Sequence, residues 1–208
     1  MPTTRADGAA PPDTADLTRL SRAAADCTGC GLYRAATQTV FGEGPRRAEI
    51  LIAGEQPGDQ EDRQGRPFVG PAGRLLDEAL AEVGFEREAL YVTNVVKHFK
   101  FTERGKRRIH EKPSRTEVVA CRPWLVAELR AVRPRLLLLL GATAAQSVYG
   151  TAFRITRQRG EPLAPPDELA GLFGVAVATV HPSAVLRAPD RETARTVFVA
   201  DLRAARER

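Results

Sequence analysis

The sequence predicts an α/β fold, a three-layer αβα sandwich on a central four-stranded, mostly parallel sheet. Four short apolar runs, rich in Val, Ile or Leu and bounded by turn residues, are typical of buried parallel strands. Segments with helical periodicity lie between these runs, and strands that alternate with helices build a parallel sheet covered on both faces. The predicted strands are 49–53, 90–96, 135–140 and 175–180.

The predicted helices are marked by caps or by an apolar face. Gly84 follows a run whose apolar residues share one helical face, and glycine is favoured just beyond a helix C-terminus. Ser114 and Glu117 form a capping box at the start of a later helix, which Pro123 is expected to kink or split. The predicted helices are 17–25, 74–83, 114–130, 142–149 and 191–206.

Composition predicts one globular domain. The chain has 208 residues, of which 43% are hydrophobic, enough to bury a core without disulfide staples. Residues 1–14 are predicted to be a disordered leader and 15–208 the folded domain. The longest aliphatic run, 136–140, is too short to span a membrane, and no signal peptide is visible. Because three cysteines do not make a disulfide framework, we expect a reducing, cytoplasmic setting.

The positive charge is concentrated in one segment. The formal net charge is +5, and the 31 basic residues comprise 27 Arg and 4 Lys. All four lysines lie between Lys97 and Lys112, and residues 97–115 hold eight basic and two acidic residues, a net charge of +6. The rest of the chain therefore sums to −1. This distribution excludes a polybasic tail and indicates a local contact with an anion.

The central part of this segment is predicted to be an exposed basic loop, 99–112. Phe99 and Phe101 are interleaved with its basic residues, and that combination suits phosphates and unstacked bases. The alternative interpretation is a solvated charged loop with no partner, although it leaves the concentration of the net charge in this loop without an explanation.

Polar residues and glycines follow the carboxyl ends of the predicted strands. An acidic turn, 54–62, follows the first strand, while Asn94 and His98 lie at the end of the second. Gly141 follows the third strand and His181 the fourth. Since open α/β sheets bind ligands outside the carboxyl ends of their strands, we expect one functional site at this edge.

Several of these features also have a structural explanation. The acidic sequence at 54–62 is, by itself, typical of a surface turn without a function. Phe68, in a loop with three glycines, is either a stacking platform for a planar ring or a hydrophobic plug over the sheet edge. A lone histidine usually has a structural role, but His98, His110 and His181 all lie outside the predicted helix interiors, which favours function.

Cys27 and Cys30 form a Cys-x-x-Cys pair, and Cys121 is the third cysteine. The pair precedes the first strand, whereas a thioredoxin-type motif follows that strand at a helix start, so we exclude the redox motif. With His98, the three cysteines supply four ligands for zinc or for an iron–sulfur cluster. The alternative is two surface thiols and a buried Cys121, and the sequence leaves both interpretations open.

Five motifs taken together resemble the uracil-DNA glycosylase superfamily over residues 17–205, and are most similar to the family 4 enzymes and the UdgX type. Family 4 enzymes usually have glycine where this chain has Gln56, and cysteine where it has His98. They also have a shorter segment before Cys121, and the inserted Lys-Arg-Arg-Ile-His at 106–110 is the hallmark of the UdgX type. The motifs are Gly-Glu-Gln-Pro-Gly at 54–58, Gly-Arg-Pro-Phe-Val-Gly-Pro-Ala-Gly at 65–73, Val-Thr-Asn-Val-Val-Lys at 92–97, Ala-Cys-Arg-Pro-Trp at 120–124 and His-Pro-Ser-Ala-Val-Leu-Arg at 181–187.

The resemblance implies a glycosylase that acts on uracil-containing DNA, single strands included. The implied cofactor is a [4Fe-4S] cluster held by Cys27, Cys30, His98 and Cys121. The implied catalytic residues are His110, Glu55, His181, Gln56 and Arg107, and the implied substrate-binding residues are Phe68, Asn94, Gly54, Asp59 and Ser183. In this scheme Phe68 stacks on uracil, Asn94 reads its Watson–Crick edge and His181 hydrogen-bonds its O2.

In the UdgX type a histidine on the inserted loop captures the sugar after the base leaves, and here that residue is His110. The product is a covalent protein–DNA adduct, so the reaction is a single turnover. Glu55 is expected to orient His110 or accept its proton, Gln56 to hold the loop closed, and Arg107 to anchor the loop or contact phosphate.

The sequence is also compatible with two other functions. The first is a conventional glycosylase that turns over, with water in place of His110. The second is a metal-stapled nucleic-acid-binding module that performs no chemistry. In each case we expect a monomer without a membrane partner, because one continuous active edge needs no second subunit.

Overall fold

The computed structural model of the protein describes residues 8–208. Its strands are β1 (Ile50–Gly54), β2 (Tyr91–Asn94), β3 (Phe101–Arg104), β4 (Arg107–His110), β5 (Leu136–Leu140), β6 (Pro162–Leu163) and β7 (Val175–Thr179). Its helices are α1 (Leu17–Ala25), α2 (Asp59–Gln64), α3 (Pro71–Glu82), α4 (Arg115–Val132), α5 (Ala142–Tyr149), α6 (Ile155–Gln158), α7 (Pro182–Leu186) and α8 (Arg191–Arg206). Three short 3₁₀ turns lie at Gly31–Arg34, Arg87–Ala89 and Asp167–Leu169.

The main sheet confirms the predicted α/β class. Its strand order is β2-β1-β5-β7-β6, and the first four strands run parallel. Successive side chains of β5 point to opposite faces: Leu137 and Leu139 pack with α4 and α5, while Leu136, Leu138 and Leu140 pack with α3 and α8. Helices therefore cover both faces of the sheet, which gives the three layers.

The sheet has five strands, so the prediction of four was wrong by one. The additional strand, β6, pairs antiparallel with β7 at the sheet edge and is only two residues long. A strand of that length that begins with proline carries no periodicity to recognise, and its pairing depends on the neighbouring β7.

The basic segment, predicted to be an exposed loop, is mostly exposed and is folded into a β-hairpin, which the sequence did not indicate. Strands β3 and β4 pair antiparallel, with Phe101 opposite His110 and Arg104 opposite Arg107. Gly105, at φ 61°, occupies the first position of the two-residue turn, where a positive φ favours glycine. Because most hairpin side chains are exposed, the strands lack the apolar alternation by which a half-buried strand is recognised.

Helix α3 begins earlier than predicted, at Pro71 rather than at residue 74. Proline is favoured at the first helical position because its missing N–H has no intrahelical partner there. Helix α4 is continuous across Pro123, so the expected split does not occur. The side chain of Trp124, next to this proline, is buried in the core.

Residues 1–7 of the predicted disordered leader lie outside the described residues. Beyond them, the backbone N–H of Gly8 donates to the carbonyl of Gly29 at 3.2 Å, and that of Ala9 donates to Ala120 at 2.7 Å. The described part of the leader is thus bonded to the loop between Cys27 and Cys30 and to α4. Among the helices of residues 8–208, none is long and apolar enough to cross a membrane.

Candidate active site

A cavity of about 580 Å³ opens at the carboxyl edge of the parallel strands. Its volume is typical of a small-ligand pocket. Eight of the predicted site residues line it: Glu55, Gln56, Asp59, Phe68, Asn94, His110, His181 and Ser183. Gly54 and Arg107 are not part of the lining. The parallel topology explains this convergence, because the loops that follow β1, β2, β5 and β7 all emerge at one edge.

Because Gly54 has no side chain, two side chains of the cavity lining, Phe68 and Asn94, approach each other there. A Cβ at this position would lie 2.5 Å from Oδ1 of Asn94 and 2.7 Å from Cζ of Phe68. Phe68 has a positive φ of 57°, which is uncommon for a bulky residue. Its ring lies 6.2 Å from that of His181 at an interplanar angle of 26°. Phe68 and Asn94 therefore occupy fixed, adjacent positions.

Glu61 holds the loop that carries Phe68, and the sequence analysis missed this residue. Its buried carboxylate accepts hydrogen bonds from the backbone N–H of Gly70 at 2.8 Å and from that of Gly58 at 3.1 Å. The carboxylate thereby joins the acidic turn to the glycine-rich loop. A Glu three residues after a helix cap is the signal that points to this role.

His181 is a neutral hydrogen-bond donor toward the cavity. The backbone N–H of Ser183 donates to its Nδ1 at 3.2 Å, so the proton of the neutral ring lies on Nε2. Burial, with smaller contributions from the neighbouring His110 and Arg187, lowers the pKa of His181 from 6.5 to about 4. At neutral pH the ring is therefore uncharged.

His110 lies at the cavity mouth beside a carboxylate. Its side chain is 49% exposed, and its Nε2 is 3.5 Å from Oε1 of Glu55. The other carboxylate oxygen of Glu55 accepts a hydrogen bond from the hydroxyl of Thr143, in the first turn of α5. A 3.5 Å separation is long for a hydrogen bond, and such contacts often tighten only when substrate binds. Thr143, absent from the sequence prediction, fixes the orientation of the carboxylate.

Gln56 is hydrogen-bonded to both ends of the hairpin. Its buried side-chain amide donates to the carbonyls of Lys100 at 3.1 Å and Glu111 at 3.0 Å, and accepts from the backbone N–H of Lys100 at 3.2 Å. These two residues flank β3 and β4. Glycine at this position would remove all three bonds, so the Gln56 side chain ties the hairpin to the end of β1.

The charged anchor of the hairpin is Arg108 rather than Arg107. Its guanidinium bonds the carboxylates of Asp59 and Asp62, the latter at 2.7 Å, and lies over the rings of Phe99 and Phe101 at 5.4 Å and 4.9 Å. Arg107 points to solvent. Adjacent strand residues face opposite sides, so only one of these two arginines can pack against the domain. Of the two roles expected of Arg107, anchoring the hairpin falls to Arg108 instead, and contact with phosphate stays a prediction.

We expect Arg108→Ala to lower the yield of any product that depends on His110 by about 10-fold, since the hairpin loses its charged anchor. The change also leaves the fully buried Asp62 without its cation, so the free energy of unfolding should fall by about 2 kcal/mol or more. Denaturing gels and urea titrations measure the two effects. Arg107→Ala is the matched control, and equal losses in both variants would contradict the assignment.

Lys97 does not belong to the exposed charge of the segment. Its ammonium is fully buried and pairs with the equally buried carboxylate of Glu128 at 2.6 Å. It also donates to the carbonyl of Asn94 at 2.7 Å. Glu128 in turn accepts hydrogen bonds from the hydroxyls of Tyr91 and Thr93 at 3.0 Å and 2.8 Å. This network lies directly behind Asn94 and fixes the backbone at the end of β2.

The exposed positive charge is smaller than the sequence count. Of the eight basic residues in 97–115, Lys97, Lys100 and Arg108 form ion pairs with carboxylates. The five exposed ones are Arg104, Lys106, Arg107, Lys112 and Arg115. None of these five forms a salt bridge with another of the described residues. The exposed positive charge therefore lies at the hairpin tip and around the start of α4.

Cys30 and Cys121 belong to the buried core that includes α4, and the partly buried Cys27 packs against it. The indole N–H of Trp124 donates to the sulfur of Cys27 at 3.1 Å, and the backbone N–H of Lys97 donates to that of Cys121 at 3.2 Å. Burial raises the pKa of Cys121 to about 12, and the charges of Cys27 and Cys30 contribute in the same direction. Hydrogen bonds to sulfur are one of the factors that set the reduction potential of a thiolate-held cluster.

The hydrogen bond of the His98 side chain is with Thr39 rather than with a cysteine. The Thr39 hydroxyl donates to the carbonyl of Ala24 at 2.9 Å, so it accepts from Nε2–H of His98 at 2.9 Å and leaves Nδ1 with the lone pair. Over the described range 8–208, no three Cys, His, Asp or Glu side chains converge closely enough to hold a single metal ion.

Sequence comparisons show which known proteins the chain is similar to. A sequence model of the family described as "Uracil DNA glycosylase superfamily" matches residues 41–203. The type-4 uracil-DNA glycosylase of Thermotoga maritima is 40% identical over 83% of this chain and 84% of its own length. Enzymes of the same name from Pyrobaculum aerophilum and Archaeoglobus fulgidus are 36% and 37% identical, and each alignment covers more than four-fifths of both chains.

Proposed function

Because the chain belongs to the uracil-DNA glycosylase superfamily, we propose that it removes uracil from DNA and captures the resulting abasic sugar through His110. The observation that carries the capture step is the position of His110 on an anchored hairpin, with Nε2 3.5 Å from the Glu55 carboxylate. A hairpin held by Gln56 and Arg108 keeps an imidazole at the cavity mouth. The substrate is uracil in a single strand, or uracil flipped out of a duplex.

Uracil binding uses the residues around Gly54. Phe68 supplies an aromatic surface on which the pyrimidine stacks. The side-chain amide of Asn94 donates and accepts at once, which matches the uracil Watson–Crick edge. The neutral His181 ring donates its Nε2–H to uracil O2, where negative charge develops as the base departs. This charge stabilisation is the main contribution of the site to breaking the glycosidic bond.

The capture step follows bond breaking. The electron pair of the C1′–N1 bond leaves with uracil, and an oxocarbenium-like sugar remains. The lone pair of one imidazole nitrogen of His110 then forms a bond to C1′, while the other ring nitrogen passes its proton to Glu55. The product is a neutral imidazole joined to the sugar and a released uracil anion, which takes up a proton from solvent. Each protein molecule therefore reacts once.

A conventional glycosylase is the second candidate, and it fits the relatives named type-4 uracil-DNA glycosylase. In that reading a water molecule bonded to Glu55 attacks C1′, and the half-exposed His110 leaves room for it. Both candidates release uracil, but only one retains the DNA.

Incubation with a uracil-containing single strand, followed by a denaturing gel, separates the candidates. We expect a protein–DNA band that survives heat and SDS, with one uracil released per protein. An abasic product without that band would support the conventional enzyme. Binding without uracil release would support the third possibility, a nucleic-acid-binding module. A strand with thymine in place of uracil is the control.

Thr143 should act as a positioning residue for Glu55. We expect Thr143→Val to slow adduct formation by about 10-fold, because a hydrogen bond to a charged group is worth about 1.5–3 kcal/mol. The half-saturating DNA concentration should stay unchanged, and Thr143→Ser, which keeps the hydroxyl, should restore the rate. If serine and valine behave alike, the hydroxyl has no role in positioning Glu55.

Uracil release should persist well into acid. Since burial holds the pKa of His181 at about 4, the neutral donor dominates above that pH and is lost as the pH falls through it. We expect near-full activity at about pH 5 and a roughly 10-fold loss per unit below about pH 4. Single-turnover rates between these values test this, with circular dichroism to confirm that the fold persists. A midpoint near 6.5 would contradict it.

We further propose that Cys27, Cys30, His98 and Cys121 hold a [4Fe-4S] cluster in a reducing, cytoplasmic and monomeric protein. The support is a partly buried thiol, Cys27, beside the buried Cys30 and Cys121, with N–H donors at the sulfurs of Cys27 and Cys121. His98 would bind through Nδ1. When bound, the group supplies structural linkage between the Cys-x-x-Cys loop and α4. Analysis of iron and acid-labile sulfide, alongside visible absorbance, distinguishes a cluster from zinc.

A further inference from the structure

A second cavity of about 300 Å³ adjoins the catalytic one, in the groove between the first turns of α4 and helix α5. Lys112 and Thr143 line both cavities, so the two are direct neighbours. The uracil chemistry described above uses the first cavity alone. Of the residues assigned to that chemistry, Thr143 alone also lines the second cavity.

The floor of the second cavity is apolar. The buried Val118 and Val148 form this floor, and the exposed Val119 lies at its rim. Val119 is 59% exposed, the most exposed of the large hydrophobic residues in the described range, which also include Ile109 at 44%. An apolar side chain on the rim of a groove next to an active site favours a ligand that has an apolar face.

The rim of the cavity carries unpaired positive charge. Lys112 and Arg115 are exposed, and within residues 8–208 neither pairs with a carboxylate. Glu168, an acidic residue of the wall, is paired with Arg122. The two remaining cations can therefore receive an anion without competition from a free carboxylate in the wall.

We propose that this cavity binds the nucleotide adjacent to uracil on the same DNA strand. The flanking phosphate pairs with Lys112 and Arg115, and the flanking base or sugar packs on Val119. Cationic grooves with surfaces for the bases are how proteins follow single strands. The inference rests on the proposed glycosylase function, because the strand enters this groove only when its uracil occupies the first cavity.

The test combines protein variants with altered strands. Arg115→Gln should weaken binding of the uracil strand by about 5-fold and reduce the slope of log K against log salt by about 1. Arg130→Gln, which removes an exposed charge near the other end of α4, should behave like the wild type. A methylphosphonate is a neutral replacement for a phosphate. A strand that carries one on one particular side of the uracil should bind the wild type and Arg115→Gln equally.

Each outcome decides the matter. Equal weakening by Arg115→Gln for natural strands and for methylphosphonates on either side would indicate general attraction and overturn the subsite, as would no effect. Val119→Ser should weaken binding of a natural strand but not of one that lacks the flanking base. Failure of the wild type to release uracil would refute the glycosylase function instead, so the two failures are distinguishable.

Discussion

Replacement of His110 by alanine is expected to abolish the heat- and SDS-resistant protein–DNA band while uracil release continues. Water replaces imidazole as the nucleophile, since the uracil-binding residues Phe68, Asn94 and His181 are unchanged. The adduct should fall below detection, the largest functional effect that we expect of any single change. Denaturing gels measure the adduct, and release of labelled uracil from the same samples measures excision.

Two controls show whether the loss is specific to the nucleophile. Arg107→Ala changes an exposed residue of the same hairpin and should retain the adduct, with weaker DNA binding at high salt. His181→Ala should lose uracil release and adduct together, because excision precedes capture. If His110→Ala still forms the adduct, another residue is the nucleophile and the proposed capture step is wrong.

Lys97→Met should be the most destabilising single change. It leaves the fully buried carboxylate of Glu128 without a cation, and breaking a buried ion pair in this way costs about 3–5 kcal/mol. The carbonyl of Asn94 also loses its ammonium donor, so uracil binding should weaken in the protein that stays folded. Urea titration followed by circular dichroism measures the first effect.

Matched variants separate burial from charge. Lys100→Met removes a cation whose pair with Glu117 is partly exposed, and it should cost about 1 kcal/mol or less. Lys97→Met combined with Glu128→Leu should recover much of the loss, since an apolar pair of similar volume replaces the ion pair. Equal costs for Lys97→Met and Lys100→Met would show that the buried network contributes little.

These predictions assign different work to neighbouring basic residues. Lys97 supports the uracil-binding wall, and Arg108 anchors the hairpin. Arg115 and Lys112 face the groove that we assign to the flanking nucleotide. The basic residues of 97–115 thus fall into two sets: those that form ion pairs within the fold, and those that are exposed.

The sequence alone placed the main elements of the fold. The apolar runs at β1, β5 and β7 and the capping box at Ser114 are local patterns, and the structure has strands and a helix there. The position of the site followed as well, because parallel strands bring Glu55, Asn94 and His181 to one edge whatever the details of packing. Hydrophobic periodicity is strong in these segments because both faces of the sheet are buried.

Only the tertiary structure decided which side chains meet. Arg108 contacts Asp62, 46 residues away, Lys97 contacts Glu128 over 31 residues, and Thr143 contacts Glu55 over 88. Local periodicity carries no information about such pairs. Adjacent residues of a hairpin strand point to opposite faces. The sequence therefore could not show whether Arg107 or Arg108 faces the domain, because that depends on the register of β3 and β4. Burial and partner, which set the role of each charge, are properties of the folded chain.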